Sequence, residues 1–183
     1  MGHIHDKPGQ IDQTVSAYVL RRDGDEVYIM LHNHKKLHKL LPVGGHVELD
    51  ETPWSAMAHE LTEESGYSVE ELKILQPVVR IEKLDKVALH PQPFVVQTHN
   101  VVPGHYHTDM GYIFIAETHP RGRVADGESE DIRWFTRDGI VRIAEDDIWR
   151  DTRQMCLEIF DKFLANWQPL PATDFDCTWP RSS

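Results

Sequence analysis

Glu60, Glu63 and Glu64 stand at positions i, i+3 and i+4 of one segment. On a helix they share a face. Like charges so placed repel by roughly 0.2–0.5 kcal/mol per pair on a bare helix. A hard divalent cation such as Mg²⁺ or Mn²⁺ removes that repulsion, because it takes carboxylate and water oxygens as ligands. Read alone, the triplet is more readily a solvated acidic face. Its surroundings reverse that reading.

The segment Thr52–Ser65 is punctuated as a helix. Thr52 suits the N-cap, Pro53 the first helical position and Gly66 the stop. Trp54, Met57, Ala58 and Leu61 recur at helical spacing as the buried stripe. The run from Gly45 to Tyr67 then resembles the Nudix box: Gly, five residues, Glu, seven residues, Arg-Glu, apolar, any, Glu-Glu, any, Gly, apolar. Gly45, Glu51, Glu60, Leu61, Glu63, Glu64 and Gly66 all fall in register. The preceding Leu41-Pro42-Val43-Gly44-Gly45 and the later Ile132-Arg133-Trp134-Phe135 look like the family's flanking strands, so the resemblance covers roughly Ile11–Trp167.

Two positions depart from the pattern. Tyr67 stands where an aliphatic is usual, and His59 where the family has Arg. Arg is a permanent forked cation, whereas His is charged only when its pKa allows. His59 precedes Glu63 by one helical turn, so an imidazolium–carboxylate contact would partly replace the Arg and make activity pH-sensitive.

The resemblance implies a Nudix-type hydrolase that cleaves a diphosphate bridge by attack of water on phosphorus, with Mg²⁺ or Mn²⁺ as cofactor. It implies metal ligands among Glu63, Glu64 and the Gly45 carbonyl. Glu60 is then either a ligand or the base, and Glu51 supports the loop–helix junction. Family members often add a carboxylate from the loop before the Trp-bearing strand. Glu128 and Glu130 are the candidates here, with Glu128 preferred. Substrate phosphates could meet Lys35 and Lys39 of the basic loop before the box. His105, His107 and Asp109 alternate, so they project to one side if they lie on a strand. Such a set could bind a transition metal, contact phosphate or line the substrate pocket.

The elements that must position these groups follow from pattern. Runs around Arg22-Asp23-Gly24-Asp25 read as a hairpin spanning Ile11–His32. Strands are expected at Leu72–Ile81, Phe94–Val102, Met110–Glu117 and Asp131–Thr136, with Thr118–Glu130 a loop and Asp147–Trp167 a helix. This mixture predicts a mixed α/β fold, a Nudix-like sandwich with helices on both sides of a mixed β-sheet. Residues 1–10 read as an N-terminal extension, 11–167 as the catalytic domain and 168–183 as an irregular tail.

The bulk numbers agree with one domain. The chain has 183 residues, 40% hydrophobic and 27% charged, with a formal net charge of -11. That charge argues against a nucleic-acid duplex or anionic membrane as partner. A small-molecule diphosphate remains open, because bound cations reverse the field locally. Two cysteines, Cys156 in an apolar helical pattern and Cys177 as a free thiol in the tail, fit a reducing, cytoplasmic setting. No signal peptide or membrane span is read from the start, the histidines His3 and His5 receive no role, and a homodimer is compatible with the sequence. Two other readings compete: a catalytically weak Nudix-fold sensor that binds a nucleotide, left open by His59, and an isoprenoid-diphosphate isomerase, disfavoured by the lack of a cysteine near the box.

Overall fold

The computed structural model describes residues 4, 7 and 9–175, so the readings made of His3, His5 and Cys177 lie outside the described residues. Strands β1 (Ile11–Asp23) and β2 (Glu26–Asn33) form the expected hairpin, with Asp23 opposite Glu26 across a two-residue turn. Two short strands follow, β3 (Leu40–Leu41) and β4 (Val43–His46), then helix α1 (Pro53–Ser65). The remaining strands are β5 (Leu72–Pro77), β6 (Val95–Val102), β7 (His105–Ala116) and β8 (Ile132–Phe135). Helix α2 (Arg137–Arg142) and helix α3 (Arg150–Glu158) come next; α3 runs on through a π turn at Ile159–Phe163 and one α turn at Leu164–Asn166. Strand β9 (Trp167–Pro171) closes the series.

The sheet is mixed. Its main order is β3-β2-β1-β7-β5-β9, with β4 beside β1, β6 beside β7 and β8 beside β2. β1 and β7 are parallel from Ile11↔Tyr106 to Arg21↔Ala116. Side-chain alternation along β1 sends Val15, Ala17 and Val19 to one face and Tyr18 and Leu20 to the other. On the first face α1 packs Trp54, Met57 and Leu61 against Tyr112 and Phe114. On the second, α2 and α3 cover Leu20, Ile29 and Ile113 with Ile140, Cys156 and Ile159. Helices therefore flank both sides of the sheet, as the pattern predicts.

Helix α1 begins and ends where its punctuation says. The Thr52 side chain accepts the Ser55 N–H at 3.1 Å, and the Ser55 hydroxyl accepts the Thr52 N–H at 2.8 Å. Gly66 stops it in a left-handed conformation (φ 74°), which a residue without Cβ adopts at little cost.

Three expectations are corrected. The strand expected over Leu72–Ile81 ends at Pro77, and the long helix starts at Arg150 rather than Asp147 and ends at Asn166. The tail from 168 is not irregular at its beginning, because Trp167–Pro171 pairs antiparallel with β5. Pro169 and Pro171 argued against a strand there. An edge strand bonds on one side only, so it tolerates residues that lack an N–H.

Candidate active site

Helix α1 lays its glutamates against β4. Glu60 and Glu64 are 3% and 6% exposed, while Glu63 turns to the rim. The Gly44 N–H donates to Glu64 Oε2 at 2.8 Å. Gly45 lies directly against Glu60: a Cβ there would stand 2.0 Å from Glu60 Oε1 and 2.6 Å from its carboxyl carbon. Gly45 thus lets the strand pass over the Glu60 carboxyl, and Gly44 lets it lie against β1, where a Cβ would stand 2.0 Å from the Val15 carbonyl oxygen. Burial, reinforced by Glu63, Glu128 and Glu51 and opposed by His59, pushes the Glu60 pKa up to about 7. Burial also pushes Glu64 up to about 8, with Glu60 and Glu128 adding and the Gly44 N–H opposing. Each pocket therefore favours a proton or a cation over a bare charge.

His59 joins two acidic residues of the box. Its Nε2 is 3.1 Å from Glu63 Oε1, and its Nδ1 is 3.2 Å from Glu51 Oε1. The other Glu51 oxygen accepts the Glu48 N–H at 3.2 Å, so Glu51 ties the loop to the helix. Burial pulls the His59 pKa down, but Glu63 and then Glu51 outweigh it and the net shift is upward. The charged form of His59, and its hold on Glu63, is present at low pH and lost as pH rises through that raised value. His59→Arg keeps its charge at all working pH. Its pH–rate profile should lack the falling limb that wild type shows on the alkaline side; superimposable profiles would rule the bridge out as a determinant of rate.

The loop before β8 brings Glu128 to this site. It bears on both Glu60 and Glu64, raising the pKa of each, and shares a hydrogen bond with Glu64. Glu130 is exposed. The loop is pinned by its neighbours: the Ser129 hydroxyl donates to the Asn33 carbonyl at 2.7 Å, and Lys35 Nζ donates to the Gly127 carbonyl at 2.6 Å. Lys39 instead donates to the Asp146 carbonyl. Of the two expected phosphate partners, Lys35 is thus held beside Glu128 and Lys39 is tied to the turn before α3.

His105 and His107 do not join the glutamates. They lie on β7 with Asp109, on the face opposite α1, and meet Asp12 of β1 and His46 of β4. Asp109 itself accepts the hydroxyls of Thr14 (2.9 Å) and Ser16 (3.0 Å).

The model of the NUDIX domain matches residues 11–156. The chain belongs to the NUDIX family. The Nudix-type hydrolase expected from the box is what this membership supports. A crystal structure of a NUDIX-family hydrolase from Clostridium perfringens is similar at TM-score 0.65 and 26% identity, over 82% of this chain and 96% of that one. An Ap4A hydrolase from C. elegans shares the fold at TM-score 0.60 and 17% identity, over 85% of this chain and 98% of that one. The NUDIX domain of Shewanella oneidensis NrtR, crystallised with ADP ribose, shares it at TM-score 0.58 and 13% identity, over 85% and 89%. No curated protein matches the sequence.

The NUDIX box residues fit a hard divalent cation. Glu60 Oε2 is buried without a hydrogen-bond partner among the described residues, which is costly for a carboxylate oxygen unless something positive meets it. Sequence reading missed one group here. His32, at the inward end of β2, is buried with Nε2 3.8 Å from Glu64 Oε2. Burial, helped by His34, lowers its pKa to about 4, so it is a neutral imidazole at ordinary pH. Its alternation with the buried Met30 was the available signal.

Proposed function

We propose that the chain hydrolyses a nucleoside-diphosphate-linked or related diphosphate compound with Mg²⁺ or Mn²⁺, by attack of water on phosphorus. The observation that carries this is the pair of buried carboxyls, Glu60 and Glu64, under the Gly44–Gly45 strand with Glu128 beside them. Glu60 and Glu64 would hold the cation, with Glu63 and the Gly45 carbonyl as further ligands. When bound, the cation supplies phosphate shielding and a water of lowered pKa. Glu128 lies on a loop fixed at both Gly127 and Ser129, so it can orient the water or take its proton. His59 holds Glu63 at the rim, and Lys35 is the basic group on the substrate side.

No helix among the described residues is long and apolar enough to cross a membrane. A small-molecule substrate in a cytoplasmic setting suits an acidic chain in which Cys156, the cysteine among the described residues, is buried and free. The relatives point to a range of compounds, since one is an Ap4A hydrolase and another was crystallised with ADP ribose.

The test is a panel of nucleoside triphosphates, ADP-ribose, dinucleoside polyphosphates and nucleotide sugars, each with Mg²⁺ or Mn²⁺. Turnover of at least one, abolished by chelation, is the expected result. Binding with no turnover of any compound would instead establish the sensor reading. On the best substrate, Glu128→Gln should lower kcat by on the order of 10²-fold, and Glu130→Gln should not. Equal rates for both variants would place the base within the box.

A further inference from the structure

A second constellation lies on the sheet face that α1 does not touch. Asp12, Thr14 and Ser16 share the Tyr18 side of β1; His105 and His107 share the Ile113 side of β7; His46 is one residue beyond Gly45, which faces Glu60. Parallel pairing sets Asp12 opposite His107, and antiparallel pairing sets Thr14 opposite His46. Three strands thus deliver one carboxylate and three imidazoles to one place.

The distances are specific. His105 Nε2 is 3.3 Å from Asp12 Oδ2, His46 Nε2 is 3.5 Å from the same oxygen, and His46 Nε2 is 3.3 Å from His107 Nε2. One donor each from Asp12, His105 and His107 lies within 4.8 Å of the other two. A tetrahedron built on metal–ligand bonds of about 2.0–2.1 Å has edges of about 3.3–3.4 Å. The measured separations of 3.3, 3.3 and 3.5 Å are close to such edges. Asp12 is fully buried and His105 is 6% exposed, so the donors are held by packing and not by surface chance. Asp12 Oδ2 also accepts the Ile4 N–H at 3.1 Å, and the His99 ring lies against that of His107 at 5.6 Å.

We propose that Asp12, His105 and His107 form a second metal site, with His46 at its edge beside Asp12 and His107, for a transition ion of the Zn²⁺ class. Imidazole suits such ions, while carboxylate and water oxygens suit Mg²⁺ and Mn²⁺. The two sites therefore sort metals by ligand chemistry, with the sheet between them. Because its donors come from β1 and β7, the ion would cross-link the start of the fold to its middle.

The test uses untagged full-length protein in excess Mg²⁺, so that the glutamates are occupied, with Zn²⁺ alone added and free ion removed by dialysis. The expected result is about one equivalent of retained Zn²⁺ and a raised Tm, since an ion that binds only the folded state stabilises it. The double variant His105→Ala/His107→Ala should retain none, and Glu64→Gln should retain it all. Asp12→Asn preserves shape while removing the anionic ligand, which guards against loss through misfolding. Co²⁺ in place of Zn²⁺ should give the visible bands of a tetrahedral site in wild type and lose them in Asp12→Asn. Wild-type protein that retains no Zn²⁺, or retention unchanged in the histidine and Asp12 variants, would overturn the proposal.

Discussion

Glu64→Gln is expected to cut metal-dependent turnover by on the order of 10²–10⁴-fold and, at the same time, to make the cation-free protein more stable near neutral pH. The two effects share one cause. Glu64 is buried, and burial with Glu60 and Glu128 nearby pushes it up to about 8, against an ordinary value of 4.5. Glu60 is pushed up to about 7. A carboxyl whose folded pKa exceeds its unfolded one binds its proton more tightly in the folded state. The stability this brings is complete below about 4.5 and is lost as pH rises through about 7 for Glu60 and about 8 for Glu64. Cation-free wild type should therefore melt at progressively lower temperature across that window. Glu64→Gln carries one charge fewer and should show a shallower fall. Added Mg²⁺ should flatten the wild-type profile and have less effect on the variant. Parallel pH–Tm profiles for the two proteins would contradict this account of the pocket, whatever the turnover.

Gly45→Ala is expected to be nearly as damaging as removing Glu60 itself. The added methyl would stand 2.0 Å from Glu60 Oε1, 2.6 Å from its carboxyl carbon and 3.0 Å from Oε2. Glu60 is buried and cannot swing into solvent without leaving the site. The alternative is to move β4, which is held to β1 by the Val15↔Gly45 pairing. Either response displaces a group that must meet the cation. Turnover should fall by on the order of 10²-fold, with weaker Mg²⁺ activation. The overpacking should cost about 1–3 kcal/mol of stability. Wild-type kinetics in Gly45→Ala would show that the close contact of Gly45 with Glu60 does not position the carboxyl for the reaction.

What could be read from sequence was what is local. The capped helix, its buried Trp54, Met57 and Leu61, and the His59–Glu63 contact all lie within one stretch, where spacing alone settles geometry. The β1–β2 hairpin was legible for the same reason. The preference for Glu128 over Glu130 rested on resemblance; the structure places Glu128 beside Glu60 and Glu64 and leaves Glu130 exposed. What escaped is what only distant pairing creates. β9 needs β5 as its partner, and no propensity rule would place a strand over Pro169 and Pro171. His105 and His107 were grouped with substrate because their alternation shows a shared side but not which face of the sheet that side is. Asp12 is not marked in the sequence, since nothing near it in the chain shows it as a partner of β7.

The parallel pairing of β1 with β7 also bears on how the molecule assembles. The Glu60–Glu64 pocket is built from β4 and α1 resting on β1, elements that follow one another closely in the chain. Parallel pairing from Ile11↔Tyr106 onward instead requires closing a loop that contains the whole box. Closing so long a loop costs entropy before any contact repays it, and such non-local topology slows folding. The Glu60–Glu64 pair against β4 is thus expected to take shape early, with Glu128 joining when its loop arrives and the docking of β7 the slow step. The imidazole–carboxylate cluster forms only when that step is complete, so contacts made there should govern how slowly the protein unfolds more than how quickly it folds.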